Sequence, residues 1–378
     1  MAISMPVEER ERQIVNDLFF EQEVDVLAVS YRHGAARSIL ILLRSLLFSR
    51  RSQPPPCDVI QSDTVVAVVF FRNEIQAISR ARSQMRIDHV LSLDLHSLAL
   101  VRQELGLVGM VREIVRFTRI ALALKGWSHV GRLCYPLLGW LLFRAFHSRL
   151  EGKTGVVLLT SNMQHPLSLG TVWAAVMTGQ TADFYEHATT PRLVARDRGY
   201  REVYVQFEHT REMLVEQGFN PNHVHALSAD KPTGAVVEPR PIRSVGICIN
   251  FFDSMESIAD ITEVVQECGL SAAYRVHDAD PRFAKLAKLA HRRGVRLDDV
   301  RQSGIEQFLE TVDLVVAGNS NVLADAVLAR RQVIYYWSGR SDMNDYYGLV
   351  AHHDLPRADS REALRTVLDG MLGTTATC

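Results

Sequence analysis

Short apolar runs rich in Val, Ile and Leu recur along this chain, and most are followed by a segment whose apolar residues fall three to four apart. A change of period from two to 3.6 predicts a strand followed by a helix. Strands are expected at residues 24–30, 64–71, 89–93, 155–160, 182–185 and 202–207, with helices at 35–48, 75–85, 169–178 and 210–217, the last closed by Gly218. Residues 228–241 carry Pro232, Pro239, Pro241 and Gly234, a composition that makes a linker rather than an element. A second series then starts afresh. Strands are expected at 244–250, 272–276, 314–317 and 333–337. Helices are expected from Asp253 or Ser254 to Cys268, at 283–292, at 322–330, at 360–372, and in a segment ending at 307–311. Gly269 and Gly294 stand where helix C-termini favour a left-handed residue.

Alternating strands and helices with short connections predict mostly parallel sheets. The expected fold is α/β: two Rossmann-like doubly wound domains facing across a cleft, with an N-terminal domain at 1–228, a linker at 229–241 and a C-terminal domain at 242–378. Ligands of open α/β sheets bind beyond the carboxyl ends of the strands, so the informative residues are those just after strands.

Length and composition narrow the function. A chain of 378 residues suits two domains, and 47% apolar with 22% charged residues is ordinary for a globular protein. A net charge of −1 excludes a global basic field for nucleic acid. Cys57, Cys134, Cys248, Cys268 and Cys378 are scattered without a CxxC pair, which argues against zinc sites and a disulfide framework and for a reducing compartment. The N-terminus lacks the apolar stretch of a secretory signal. No tract is long enough to span a bilayer.

Two C-terminal segments carry candidate chemistry. A buried strand ends in Gly318-Asn319-Ser320-Asn321 before a helix. Gly318 permits a tight turn, Asn319 or Ser320 can cap the helix, free N–H groups there suit a phosphate, and Asp325 one turn on can reach ribose hydroxyls. The competing interpretation is an ordinary helix cap. The strand 272–276 delivers Arg275 and His277 to one face, a pair suited to a nucleotide phosphate; the competing interpretation is a solvated strand end. Asn250 follows the first strand of the same series.

Together, Arg275-Val-His277, the Asn319-Ser320-Asn321 turn and Asp325-Ala326 resemble the C-terminal domain of GT-B glycosyltransferases that build bacterial surface polysaccharides, among them capsular polysialyltransferases, Kdo transferases and the CDP-glycerol polymerases of teichoic acid synthesis. Asp278 stands where those families usually have proline, and Asn321 where they have a hydroxyl. The resemblance covers residues 244–336. It implies a nucleotide-sugar donor (CMP-, CDP- or UDP-linked), held by Asn250, Arg275, His277, Gly318, Asn319, Ser320, Asn321 and Asp325.

In the N-terminal half, a strand ends in Thr160-Ser161-Asn162 and a later one in Glu186-His187-Ala188. The pair looks like the GT-B arrangement of a Thr-Ser/Asn turn preceding a strand that ends Gln-His-Gly, with alanine replacing the glycine. The resemblance assigns Thr160, Ser161 and Asn162 to the acceptor. A sugar hydroxyl must lose its proton in the transition state, and His187 has the suitable intrinsic pKa, with Glu186 as orienting group or substitute base. The alternative for His187 is a loop histidine satisfied by backbone. Asp278 and Asp280 have the spacing of a metal-binding pair but follow an Arg-x-His strand end, so no obligatory metal is expected.

Residues 32–51, with Arg37, Arg44 and Arg50, and residues 111–150, with Arg112, Arg116, Arg119, Lys125, Arg132, Arg144 and Arg149, interleave basic and apolar positions. Such stretches lie on anionic membranes, or else pack on the sheet with solvated arginines. The expected function is transfer of a sugar from a nucleotide-activated donor to a glycan or lipid-linked acceptor, by a cytoplasmic protein peripheral on the inner face of the plasma membrane. The alternatives are a non-hydrolysing UDP-sugar 2-epimerase-like enzyme and an inactive GT-B scaffold.

Overall fold

The structure, a computed structural model, describes residues 6–23, 59–93, 97–125, 133–187, 190, 196–227, 241–250, 252–277, 280–300, 302–339 and 344–375. The strand and helix expected at 24–30 and 35–48, the basic segment 32–51, most of the linker, and Ala188 and Asp278 lie outside these residues. The chain divides into two units, Met1–Ala229 and Asp230–Cys378.

The first unit runs α1 (Val7–Glu23), β1 (Val65–Val69), α2 (Arg72–Ala81), β2 (His89–Ser92), α3 (Ser97–Lys125), α4 (Cys134–Leu150), β3 (Val157–Thr160), α5 (Pro166–Met177), β4 (Thr181–Tyr185), β5 (Tyr200–Val205), α6 (Glu208–Glu216) and β6 (Val224–Ala226). Its sheet has the order β2-β1-β3-β4-β5-β6 and every pairing is parallel. β1 (VVAVV) and β3 (VLLT) are continuous apolar runs because both faces of a parallel sheet are covered.

The core under this sheet joins Leu18 and Phe19 of α1, Phe117 of α3 and Trp140, Phe143 and Phe146 of α4. α4 buries Cys134, Pro136, Leu137, Gly139–Phe143, Ala145, Phe146 and Leu150. It is a core helix, which removes it from the stretch expected on a membrane surface. The bases of that stretch also find acids: Arg116 pairs with Glu11 at 2.6 Å, Arg144 with Glu113 at 3.4 Å and Arg149 with Glu104 at 3.3 Å. α3 is broken at Gly106, whose φ of 64° and ψ of 174° are not helical. Where α4 and α5 cross, the backbones touch. A Cβ on Gly170 would lie 2.1 Å from the Gly139 carbonyl oxygen, and one on Gly139 would lie 2.4 Å from that of Pro166. No described helix is long and apolar enough to cross a membrane.

The second unit runs β7 (Ser244–Ile249), α7 (Met255–Glu267), β8 (Ser271–Val276), α8 (Phe283–Arg293), β9 (Arg296–Asp298), α9 (Ile305–Glu310), β10 (Leu314–Ala317), α10 (Val322–Leu328), β11 (Gln332–Tyr336), α11 (Leu349–His353), β12 (Arg357–Ala358) and α12 (Arg361–Thr375). Its sheet order is β12-β11-β10-β7-β8-β9, again all parallel. The Ser254 hydroxyl accepts from Ser257 N at 2.9 Å and starts α7; Gly294 at φ 65° ends α8. The short strands β6, β9 and β12 carry no periodic signal and were not expected.

Each sheet is wound outward in two directions from its middle. In the first unit the order reverses between β1 and β3, in the second between β7 and β10. At such a switch point the two following loops part in opposite directions and leave a crevice at the carboxyl edge.

Candidate functional site

In the first unit, the crevice is flanked by the loops after β1 and β3, with the loop after β4 beside it. β4 ends at Tyr185, so Glu186 and His187 emerge at the carboxyl edge. The His187 ring, partly buried, sets Nδ1 against the Ser161 carbonyl oxygen of the adjoining β3 loop. A carbonyl only accepts, so Nδ1 carries the proton and Nε2 keeps its lone pair. Burial lowers the His187 pKa, the Ser161 carbonyl raises it, and the Arg80 charge on α2 lowers it further. The net direction is down, so the ring is neutral at pH 7, the state a general base needs.

Glu186 is fully buried. Its two oxygens accept the backbone N–H groups of Thr190 and Gln206, each at 2.6 Å, so it anchors the His187 loop to the end of β5. Burial pushes its pKa up to about 7, against the pull of those hydrogen bonds. Across the crevice, Glu74 of α2 accepts from Phe70 N at 2.6 Å and Phe71 N at 3.3 Å and is likewise pushed up to about 7 by burial. Of the expected acceptor residues, Thr160 and Ser161 are fully buried. Asn162 accepts from Gln164 N at 3.2 Å and His165 N at 3.0 Å and turns the chain into α5.

In the second unit, the loops after β7 and β10 are tied together across the crevice. Asn250 Nδ2 donates to the Asn319 carbonyl oxygen at 2.6 Å. The Asn319 side-chain oxygen accepts from Tyr335 Oη at 3.1 Å and Tyr346 N at 3.0 Å. Gly318 is required by close approach and not by a left-handed turn: a Cβ there would sit 2.7 Å from an Asp253 carboxylate oxygen. Asp253 accepts from Asn250 N at 2.8 Å, and burial pushes its pKa up to about 7. Ser320 Oγ accepts at 3.3 Å from the N–H of Val322, the first residue of α10, whose N-cap position is Asn321. Asn321 and Asp325 are partly buried at that turn.

His277 follows β8 directly and is exposed. Arg275 lies inside β8 and pairs with Asp298 of β9. It also donates to the Ser303 hydroxyl at 3.2 Å and stands over the Phe308 ring at 5.2 Å. Its donors therefore lock the sheet edge. The guanidinium that serves the crevice is Arg282, which sequence reasoning missed. It grips Asp280 through Nε at 2.9 Å and Nη2 at 2.7 Å, and donates to the carbonyl oxygens of Asn250, at 2.6 Å, and Asp253. Glu74 and Asp253 were missed as well. The signal that could have found Arg282 is Asp280-Pro281-Arg282, an acid and a base flanking a proline just after a strand.

Both sheets thus gather polar residues at the edge where doubly wound folds hold ligands, with a neutral histidine on one and a braced loop cradle on the other. No family model and no curated protein sequence matches the chain. Solved structures do. UDP-GlcNAc 2-epimerase from Methanocaldococcus jannaschii, in complex with UDP-GlcNAc and UDP, is similar over 82% of this chain and 92% of its own, at 13% identity and a TM-score of 0.52. UDP-GlcNAc 2-epimerase from Neisseria meningitidis bound to UDP-GlcNAc is similar over 83% and 92%, at 11% identity and a TM-score of 0.50. The two six-stranded parallel sheets with flanking helices are the GT-B-like two-domain α/β fold that the sequence led us to expect.

Proposed function

We propose that the chain is a GT-B glycosyltransferase that moves a sugar from a nucleotide-activated donor to a glycan or lipid-linked acceptor of a bacterial surface polysaccharide. The first unit takes the acceptor and the second the donor nucleotide. His187 is the general base: the Ser161 carbonyl fixes its Nδ1 proton, so Nε2 removes the acceptor hydroxyl proton as that oxygen attacks the anomeric carbon. Glu186 holds the loop. His277, Ser320, Asn321 and Asp325 contact the nucleotide, while Asn250, Asn319 and Arg282 shape the cradle and Arg275 stiffens its edge. The observation that carries this reading is the His187 ring, set by the Ser161 carbonyl at the carboxyl edge of a doubly wound sheet.

Calorimetry with CMP, CDP and UDP tests the donor assignment. One nucleotide is expected to bind, and the matching nucleotide sugar should release it only with acceptor present. Binding of none of the three would leave an inactive scaffold. The likeness to two UDP-GlcNAc 2-epimerases favours a second reading, conversion of a UDP-sugar at C2. Incubation with UDP-GlcNAc and no acceptor separates the two, because only an epimerase yields a new UDP-sugar.

A further inference from the structure

Eight large hydrophobic residues are exposed among those described, and four belong to one stretch of α3: Leu107 at 60%, Val108 at 85%, Val111 at 53% and Val115 at 55%. They follow the Gly106 break and fall at i, i+1, i+4 and i+8, one face of a helix. Arg119, Leu122 and Ala123 continue that face, Arg119 and Ala123 exposed and Leu122 partly so. From 107 to 122 the face runs about 22 Å at 1.5 Å per residue. The opposite face buries Met110, Phe117 and Ala121 in the core. The stripe is thus the second apolar side of a helix whose first side already does the packing.

The charges say what the stripe suits. Between residues 107 and 125 the bases are Arg112, Arg116, Arg119 and Lys125, and the acid is Glu113. Glu113 points inward at 1% exposure, while the Arg112 side chain is 75% exposed beside it. Arg116 is taken by Glu11 of α1, and Arg112 reaches Glu113 at 3.7 Å while its side chain stays exposed; Arg112 and Arg119 are thus the outward bases flanking the valines, with Glu8 and Arg12 of α1 beside them. We propose that residues 107–123 of α3 lie in the plane of an anionic lipid bilayer, with Val108, Val111 and Val115 in the acyl boundary and Arg112 and Arg119 among the headgroups. A second copy of this chain would set those arginines against their own kind, whereas anionic headgroups complement them. Docking by this face does not depend on the chain transferring a sugar.

The test is cosedimentation of the full chain with vesicles of phosphatidylcholine, with and without phosphatidylglycerol. Wild type should bind the anionic vesicles at least about tenfold better, and Arg112→Gln and Arg119→Gln should each cost about fivefold. Val108→Asp/Val111→Asp/Val115→Asp should abolish binding with an unchanged Tm, since these side chains leave the core intact. Part of the wild-type binding should survive high salt, which screens the arginines and not the valines. No binding to anionic vesicles, or undiminished binding by the triple aspartate variant, overturns the proposal. So does a wild-type dimer that the triple variant turns into a monomer.

Discussion

The two crevices stand at equivalent places in their sheets yet are built differently. In the first unit, Glu74 and Glu186 are buried and served by backbone N–H groups, and His187 leans on a backbone carbonyl. Burial pushes the two acids up to about 7 and the His187 pKa down. In the second unit, Asp280 and the carbonyls of Asn250 and Asp253 converge on one guanidinium, Arg282. The second edge differs in its guanidinium brace, although its Asp253 is pushed up to about 7 by burial just as Glu74 and Glu186 are. The proposed division of work, proton transfer on the first unit and ligand grip on the second, rests on that brace.

The largest expected effect breaks the braced side. Arg282→Leu leaves the Asp280 carboxylate, 0% exposed, without its charged partner and with only the backbone N–H of residue 282 donating to it. Stability should fall by about 3–5 kcal/mol, read by urea unfolding, with nucleotide affinity lost alongside. A loss under about 1 kcal/mol would mean that the loops hold without the brace. On the other side, His187→Ala should lower transfer at least about 10²-fold while the nucleotide Kd stays put. Transfer near the wild-type rate would falsify His187 as the base. Ser320→Ala is milder: nucleotide affinity should drop by about 1.5–3 kcal/mol, against about 1 kcal/mol of stability for the lost hydrogen bond from Val322 N. Equal Kd values for the two proteins in calorimetry would move the phosphate elsewhere.

The smallest effect sharpens the proton side. The Glu74 pKa is raised from 4.5 to about 7. The folded chain therefore keeps that proton between these values while the unfolded chain gives it up. The stability it contributes is full below pH 4.5 and fades as pH rises to 7. Glu74→Gln keeps the acceptor oxygen and cannot ionise. Its Tm should match wild type near pH 4.5 and exceed it at about pH 8. A Tm gap that does not change with pH would show that Glu74 is charged in the fold.

How much of this was legible in the sequence depended on how local each signal is. β10 is the run Leu314–Ala317, found to the residue, and the caps at Ser254 and Gly294 stand where turn chemistry puts them. The positions of His187 and the 318–321 turn at the ends of strands were legible because polar residues that end an apolar strand are visible in one dimension. Arg275 was placed at the right strand, but its partner Asp298 sits on β9, three residues long and without a period. Arg282 and Glu74 matter because of which loops the sheet order brings beside them, and no spacing along the chain records that. The basic stretch shows the same limit. A count of arginines between 111 and 150 does not reveal that Glu11, Glu104 and Glu113 already answer four of them.

The contact between Gly139 and Gly170 bears on how this protein tolerates change. With backbone against backbone, α4 and α5 have no side-chain layer to repack, so neither can be adjusted by compensating substitutions elsewhere. A library varied at either position should return glycine almost alone, while the valines of α3 should accept nearly any residue that keeps the protein folded. The loop of residues 161–165 leads straight into α5, and His187 leans on its first carbonyl. Two residues with no side chain thereby fix where the His187 ring sits. Anyone redesigning this edge can rebuild the loop tips freely, but must treat that helix crossing as the fixed datum from which they are measured.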